Sequence, residues 1–214
     1  MKKEFSPKEK TQYKFLLNVL GSLFSNIPLE NNNQIDFRDL YFTSAKSRVA
    51  NMVSYALEKS KINVPKEIMN MFIRCRKFML MKDASQFSAT KKLIAEFEKQ
   101  GIDNLLVKGQ FIKDTYPQPD FRVTNDVDVH IKSKDIEKAR TILSSLDYRI
   151  IESTDDLIVA VQDPFVQFEI HCDNGNFRNS TFTENLFSNA KLINNTNHTY
   201  KFPDEYHYIY IVEH

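Results

Sequence analysis

Two aspartates stand two residues apart in RVTNDVDVHI, residues 122–131, a stretch that otherwise has the pattern of an apolar strand. In an extended chain alternate side chains share a face, so Asp126, Asp128 and His130 lie on one face and apolar residues on the other. The two Cα atoms are about 6.5–7 Å apart, and the carboxylates repel each other unless water or a cation lies between them. The simpler explanation is an acidic outer face, and the alternative is a metal site.

A second acidic strand follows in VQFEIH, residues 166–171, where Glu169 and His171 alternate with apolar residues. If both strands lie close together in one sheet, Asp126, Asp128 and Glu169 converge on its exposed side. Mg²⁺ prefers oxygen ligands, and two such ions about 3.5–4 Å apart can assist the in-line displacement of a phosphoryl group. The residues therefore predict a site for divalent cations, with two Mg²⁺ ions expected and Mn²⁺ able to substitute.

The segment NLLVKG, residues 104–109, is typical of a short apolar strand, and QFIKDTY directly behind it can begin a helix. Backbone N–H groups at the start of a helix attract phosphate, and glycine lets the phosphate approach closely. Lys108, Gly109 and Gln110 are therefore predicted to bind phosphate. Arg122 supplies a further positive charge for the same purpose.

Helical periodicity fills the N-terminal half, whereas apolar segments of period two dominate afterwards. Helices are predicted over 7–25, 37–60, 65–101 and 133–146, and strands over 104–109, 126–131, 147–152, 157–162 and 165–171. This order indicates an α+β fold with a mixed or antiparallel sheet. The predicted domains are a helical region at 1–101, an α+β core at 102–200, and the start of a truncated C-terminal helix at 201–214.

Composition and charge exclude several classes of protein. The 214 residues are 42% hydrophobic and 27% charged, which is typical of a folded globular chain rather than a disordered one. Lys and Arg number 29 against 28 Asp and Glu, so the net charge gives no general argument for a nucleic-acid or anionic-membrane partner. No apolar run reaches the length of about 18 residues that a membrane span needs. We therefore expect a cytoplasmic protein with no membrane partner, whose oligomeric state the sequence does not specify.

Three segments, LLVKGQFI, YPQPDFRVTNDVDVHI and FEIHCD, resemble the successive motifs of the uncharacterised nucleotidyltransferase family, also called nucleotidyltransferase family 5. This family belongs to the polymerase-beta-like nucleotidyltransferase superfamily. The shared features are a Lys-Gly pair that opens a helix, a Tyr-Pro loop, an arginine ahead of a D-x-D pair, and a later acidic residue, apolar residue and histidine. The resemblance covers residues 103–173 and implies a polymerase-beta-like nucleotidyltransferase core behind a helical N-terminal half.

The resemblance also implies roles for individual residues. It implies a metal triad formed by Asp126, Asp128 and Glu169. It places Gly109 in the turn that receives the triphosphate, and it matches Lys108 and Arg122 to the basic positions of the family. Gln110 is a further candidate for phosphate binding, and His130 and His171 are auxiliary candidates. Superfamily members usually carry Gly-Ser or Gly-Gly at the turn, whereas this chain has Gly-Gln, so a hydroxyl contact to phosphate does not carry over.

The expected reaction is Mg²⁺-dependent transfer of a nucleoside monophosphate from a nucleoside triphosphate to a hydroxyl acceptor, with release of pyrophosphate. The sequence does not identify the acceptor and leaves a small molecule, an RNA end and a protein open. Replacing Asp126 or Asp128 by Asn is expected to abolish turnover with little loss of folding, because it relieves carboxylate repulsion. Two alternatives stay open: a catalytically silent binding module with the same fold, and a hydrolase that holds Zn²⁺ or another transition metal through Asp, Glu and His.

Overall fold

The computed structural model describes residues 5–25, 27–30, 34–122, 124–172 and 186–213, apart from the side chains of residues 110, 111, 114 and 213. The described residues divide into two compact units. The first unit contains residues up to 81 together with 115–122, and the second contains 82–114 together with the residues from 124 onwards.

The first unit is built from helices that share one apolar core. Its helices are α1 (Pro7–Gly21), α2 (Phe37–Lys46), α3 (Ala50–Lys59) and the first part of α4 (Lys66–Gln100). The core they bury includes Phe15, Leu16, Val19, Leu40, Val53, Leu57 and Phe72. The helix predicted over 37–60 is divided in two because Arg48 adopts φ 58°, in the left-handed region that ends a helix.

Residues 115–122 pack on α3 inside the first unit. The Asn51 side-chain amide donates to the Asp120 carbonyl oxygen at 2.5 Å. The Tyr55 and Phe121 rings contact each other edge to face, with centroids 5.3 Å apart. These contacts hold the segment that carries Arg122 against the helix.

The second unit contains a seven-stranded sheet whose strand order is β3-β4-β5-β2-β1-β7-β6. Strand β2 runs parallel to β5 and β1 runs parallel to β7, while the other neighbours are antiparallel. The strands are β1 (Asn104–Leu106), β2 (Val127–Ile131), β3 (Arg149–Ser153), β4 (Leu157–Gln162), β5 (Val166–Cys172), β6 (Lys191–Leu192) and β7 (Thr199–Lys201). The short strands β6 and β7 were not among the predicted elements.

Helices cover both faces of this sheet. On one face, the second part of α4 and helix α6 (Ile136–Ser145) bury the apolar side chains of β2, β4 and β5. On the other face, helix α7 (Asp204–Glu213) buries Tyr210 against Leu105, Val107 and Phe202. A four-residue helix, α5 (Gly109–Ile112), follows β1. The covering of this face by α7 was not predicted, and it changes the surroundings of the acidic side chains on β2.

The predicted α+β class with a mixed sheet is confirmed. The prediction that the acidic face is exposed is wrong for β2, where Asp128 is 4% and His130 is 0% exposed. The reason is that α7 covers this face of the sheet. The assignment of domains to 1–101, 102–200 and 201–214 stays a prediction.

Candidate functional site

Two neighbouring parallel strands place predicted site residues side by side. In the register of β2 and β5, Asp128 lies opposite Glu169 and His130 lies opposite His171. Residues that pair across neighbouring strands point to the same face of a sheet, so these four side chains share one face. The intervening residues of β5 are buried on the other face, which fixes this orientation.

Among the described residues, Asp128, Glu169 and His171 form a group whose ligand atoms all lie within 4.8 Å of one another. His171 Nε2 lies 3.4 Å from Asp128 Oδ1 and 3.7 Å from Glu169 Oε2. This nitrogen is buried and has no hydrogen-bond partner among the described residues. Two carboxylates and one imidazole are a donor set that fits a divalent cation.

Lys108 reaches the same cluster from the end of β1. Its Nζ lies 2.6 Å from Asp128 Oδ1, and its side chain is 23% exposed. Its backbone has φ 53° and ψ −118°, a conformation that glycine adopts readily and that strains other residues. A strained backbone of this kind persists only where the surrounding contacts hold it in place.

Gly109 is required by a close approach to Thr124. A Cβ atom on Gly109 would lie 2.2 Å from Thr124 Cγ2. Thr124 cannot turn away without loss, because its hydroxyl donates to Gln86 Oε1 of α4 at 3.1 Å. The turn that carries Lys108 is therefore fixed against the segment that leads to Asp126.

Burial and neighbouring side chains shift the pKa of the Asp128 carboxyl in opposite directions. Burial by itself would raise its pKa, but the His171 imidazole and the Lys108 ammonium outweigh burial and hold the pKa below its ordinary value. Asp128 is therefore ionised at neutral pH although its side chain is buried. An ionised carboxylate can bind a cation without first losing a proton.

Helix α7 makes two polar contacts behind the cluster. Tyr210 Oη and His130 Nε2 are hydrogen-bonded at 2.7 Å, and the His130 ring stacks on the His171 ring with centroids 5.1 Å apart. His207 Nε2 accepts the backbone N–H of Lys108 at 2.9 Å, and burial lowers the pKa of His207, although the charge of Asp204 opposes this shift. Helix α7 thus supports both the imidazole pair and the turn.

The remaining predicted site residues are Asp126, Arg122 and Gln110. Asp126 comes just before β2, is half-buried and is not part of the cluster within 4.8 Å. Arg122 belongs to the first unit, where its Nε is buried and has no hydrogen-bond partner among the described residues. Gln110 lies in α5, and its side chain is outside the described residues. Their roles stay predictions.

Comparison with known proteins identifies the family. A profile of a family described as uncharacterised nucleotidyltransferase matches residues 33–214. The chain belongs to this nucleotidyltransferase family. No curated protein and no solved structure matches the chain significantly.

Membership in the nucleotidyltransferase family confirms the resemblance deduced from the three motifs, and the match extends it over both units. It supports a general nucleotidyltransferase activity and a nucleotide substrate. Among the residues that the structure describes, no helix is both long enough and apolar enough to cross a lipid bilayer.

Sequence reasoning missed two residues that support the site of this nucleotidyltransferase. His207 and Tyr210 lie in HYIY, residues 207–210 of α7, and both are buried. A histidine and a tyrosine three residues apart on one helix face were a signal of a buried polar pair. Nothing in their spacing indicated which strand they would contact.

The lowered pKa of Asp128 has a consequence for stability. A carboxyl with a lowered pKa in the folded state stabilises the fold at pH values above its unfolded-state pKa of about 3.9, and this contribution is lost as pH falls through the folded-state value. We expect the difference in free energy of unfolding between wild type and Asp128→Asn to be largest near neutral pH and to shrink in acid. Urea denaturation of both proteins over this pH range measures the difference, and a difference independent of pH would contradict the assignment.

Proposed function

We propose that this protein is a Mg²⁺-dependent nucleotidyltransferase that moves a nucleoside monophosphate from a nucleoside triphosphate to a hydroxyl acceptor. The acceptor oxygen forms a bond to the α-phosphorus, the bond to the β-phosphate bridging oxygen breaks, and pyrophosphate leaves. The hydroxyl proton passes to a base. The observation that carries the proposal is the pairing of Asp128 with Glu169 on parallel strands, beside His171 and Lys108.

The residues present fit a divalent cation. Asp128 and Glu169 would hold it through oxygen, and His171 would supply a nitrogen ligand, because Nε2 is buried with no hydrogen-bond partner among the described residues and lies within 4 Å of both carboxylates. A bound divalent cation would neutralise charge on the triphosphate and align it for in-line displacement. Asp126 is proposed as a further ligand for a second ion, since it stands two residues from Asp128. Mn²⁺ can substitute for Mg²⁺, and the imidazole favours this.

The side chains of the site have different proposed roles. Ionised Asp128 would hold the divalent cation that neutralises the triphosphate, and Lys108 supplies an ammonium for the β and γ phosphates. Glu169 is half-buried, and its carboxyl group would accept the acceptor's hydroxyl proton. Helix α5 has only four residues, so its dipole is small and phosphate attraction depends mainly on the charge of Lys108.

Transfer of the labelled α-phosphate tests the proposal. Each of the four nucleoside triphosphates, labelled at the α-phosphate, is incubated with the protein, Mg²⁺ and pools of small metabolites, RNA or protein. We expect label in one pool, together with equimolar pyrophosphate, for wild type and no label for Asp128→Asn. Triphosphate binding without transfer into any pool would contradict the transferase and favour the catalytically silent binding module.

The imidazole in the cluster favours one second candidate, a hydrolase that uses a transition metal through Asp128, Glu169 and His171. Such an enzyme would release inorganic phosphate or a hydrolysed ester with Zn²⁺ and would not transfer the nucleotide. The same incubations with Zn²⁺ replacing Mg²⁺ separate the two candidates. His130 is less suited to this role than His171, because its Nε2 is already hydrogen-bonded to Tyr210.

A further inference from the structure

One oxygen of Asp128 faces two different partners. Lys108 Nζ lies 2.6 Å from Asp128 Oδ1, and His171 Nε2 lies 3.4 Å from the same oxygen. The lysine ammonium therefore occupies the carboxylate oxygen that belongs to the donor set for a divalent cation. A cation bound to this oxygen and an ammonium bound to it would repel each other strongly, because the carboxylate is buried and screening by water is weak.

The backbone of Lys108 is fixed, but its side chain can reach solvent. The backbone conformation of Lys108 is one that favours glycine, and His207 fixes it by accepting its N–H at 2.9 Å. In contrast to this fixed backbone, the side chain is 23% exposed while that of Asp128 is 5% exposed. Rotation of a flexible side chain therefore moves the ammonium towards solvent and leaves the carboxylate in position.

We propose that Lys108 exchanges between two partners: it pairs with Asp128 when no cation is bound, and it pairs with phosphate when a cation and a triphosphate bind together. The inference rests on the proposed function and adds how that site is regulated. Lys108 opposes binding of a divalent cation alone, and a triphosphate removes the opposition by offering the ammonium a new anion. Because coupling between two ligands is reciprocal, the cation also tightens triphosphate binding.

The first test measures Mn²⁺ binding without triphosphate. The electron paramagnetic resonance signal of the free ion reports how much Mn²⁺ is unbound. Lys108→Met removes the ammonium, and we expect it to bind Mn²⁺ at least about tenfold more tightly than wild type, since an adjacent charge commonly changes ionic equilibria by this factor or more. Lys108→Gly is a second variant that suits the backbone conformation and guards against a folding defect. Equal Mn²⁺ affinity in wild type and in both variants would overturn the exchange.

Lys113→Met is the matched control. Lys113 is a lysine of the same unit that is 5% exposed and pairs with Asp83 at 2.5 Å, outside the cluster. Its replacement removes a buried ammonium without touching Asp128, so Mn²⁺ affinity should equal that of wild type. Tighter Mn²⁺ binding by this variant would show a general effect of charge and overturn the specific role of Lys108.

The second test repeats the Mn²⁺ titration with a non-hydrolysable nucleoside triphosphate present. In wild type we expect the triphosphate to increase the affinity for Mn²⁺, after correction for the Mn²⁺–triphosphate complex that forms free in solution. In Lys108→Met we expect a smaller increase in affinity. An equal gain in both proteins would overturn the exchange while leaving the proposed function standing. Absence of Mn²⁺ binding in every protein, with and without triphosphate, would contradict the proposed function and the exchange together.

Discussion

Replacing Asp128 by Asn is expected to abolish Mg²⁺-dependent binding of nucleoside triphosphates and to lower the free energy of unfolding by about 1–3 kcal/mol at neutral pH. The binding effect follows because the amide removes the negative charge shared by the cation site and Lys108. The stability effect follows because Lys108 and His171 lose the buried carboxylate that they face. Carboxylate repulsion alone predicts little loss of folding, but the lysine already relieves that repulsion. Calorimetric titration and urea denaturation measure the two effects.

Asp103→Asn is a matched control for this substitution. Asp103 is half-buried in the second unit, where it pairs with Lys132 and with His198. Burial would raise the pKa of Asp103, but Lys132 and His198 outweigh burial and lower it, as the neighbours of Asp128 do. The control should therefore lose stability and keep triphosphate binding. Equal triphosphate affinity in wild type and Asp128→Asn would show that Asp128 is not part of the triphosphate site.

Gly109→Ala is expected to lower the free energy of unfolding by about 1–3 kcal/mol or more and to weaken triphosphate binding. The added Cβ would meet Thr124 Cγ2 at 2.2 Å, so either the turn or the Thr124 segment must shift. A shift of the turn displaces Lys108, which is why binding suffers together with stability. Thermal denaturation and the same calorimetric titration measure the two losses.

A second substitution tests the cause of this effect. Thr124→Ser deletes Cγ2 and keeps the hydroxyl that donates to Gln86, so the double variant with Gly109→Ala should recover most of the lost stability. Gly21→Ala serves as the control for the glycine change, because a Cβ there meets nothing within 4 Å, and its stability should equal or slightly exceed that of wild type. A double variant no more stable than Gly109→Ala alone would contradict the contact.

The sequence was enough to predict the parts of the site that depend on local pattern. Alternation of period two predicted both acidic strands and the shared faces of Asp128 with His130 and of Glu169 with His171, and the register of β2 and β5 agrees with this. Asp126 extends the same alternation, yet β2 begins one residue later, at Val127. Strand ends depend on pairing with neighbours, which the pattern of one segment does not contain.

The surroundings of the site could not be predicted, because they depend on contacts between distant segments. The hydrogen bond between Tyr210 and His130 joins residues 80 positions apart, and that from the Lys108 N–H to His207 joins residues 99 apart. No local period encodes such pairs. For the same reason the sequence assigned Lys108 to phosphate without revealing Asp128 as a partner, and it treated the acidic face of β2 as exposed.

The most direct test of the central claim, that a cation and a triphosphate bind together at Asp128, Glu169 and His171, is pulsed electron paramagnetic resonance of Mn²⁺ bound to the protein with a nucleoside triphosphate. Protein labelled with ¹⁵N-histidine separates imidazole nitrogen from nucleotide nitrogen. We expect hyperfine coupling to ³¹P and to histidine ¹⁵N together, and loss of the ¹⁵N coupling in His171→Gln. Mn²⁺ coupled to ³¹P without histidine nitrogen in the wild-type protein would contradict the account.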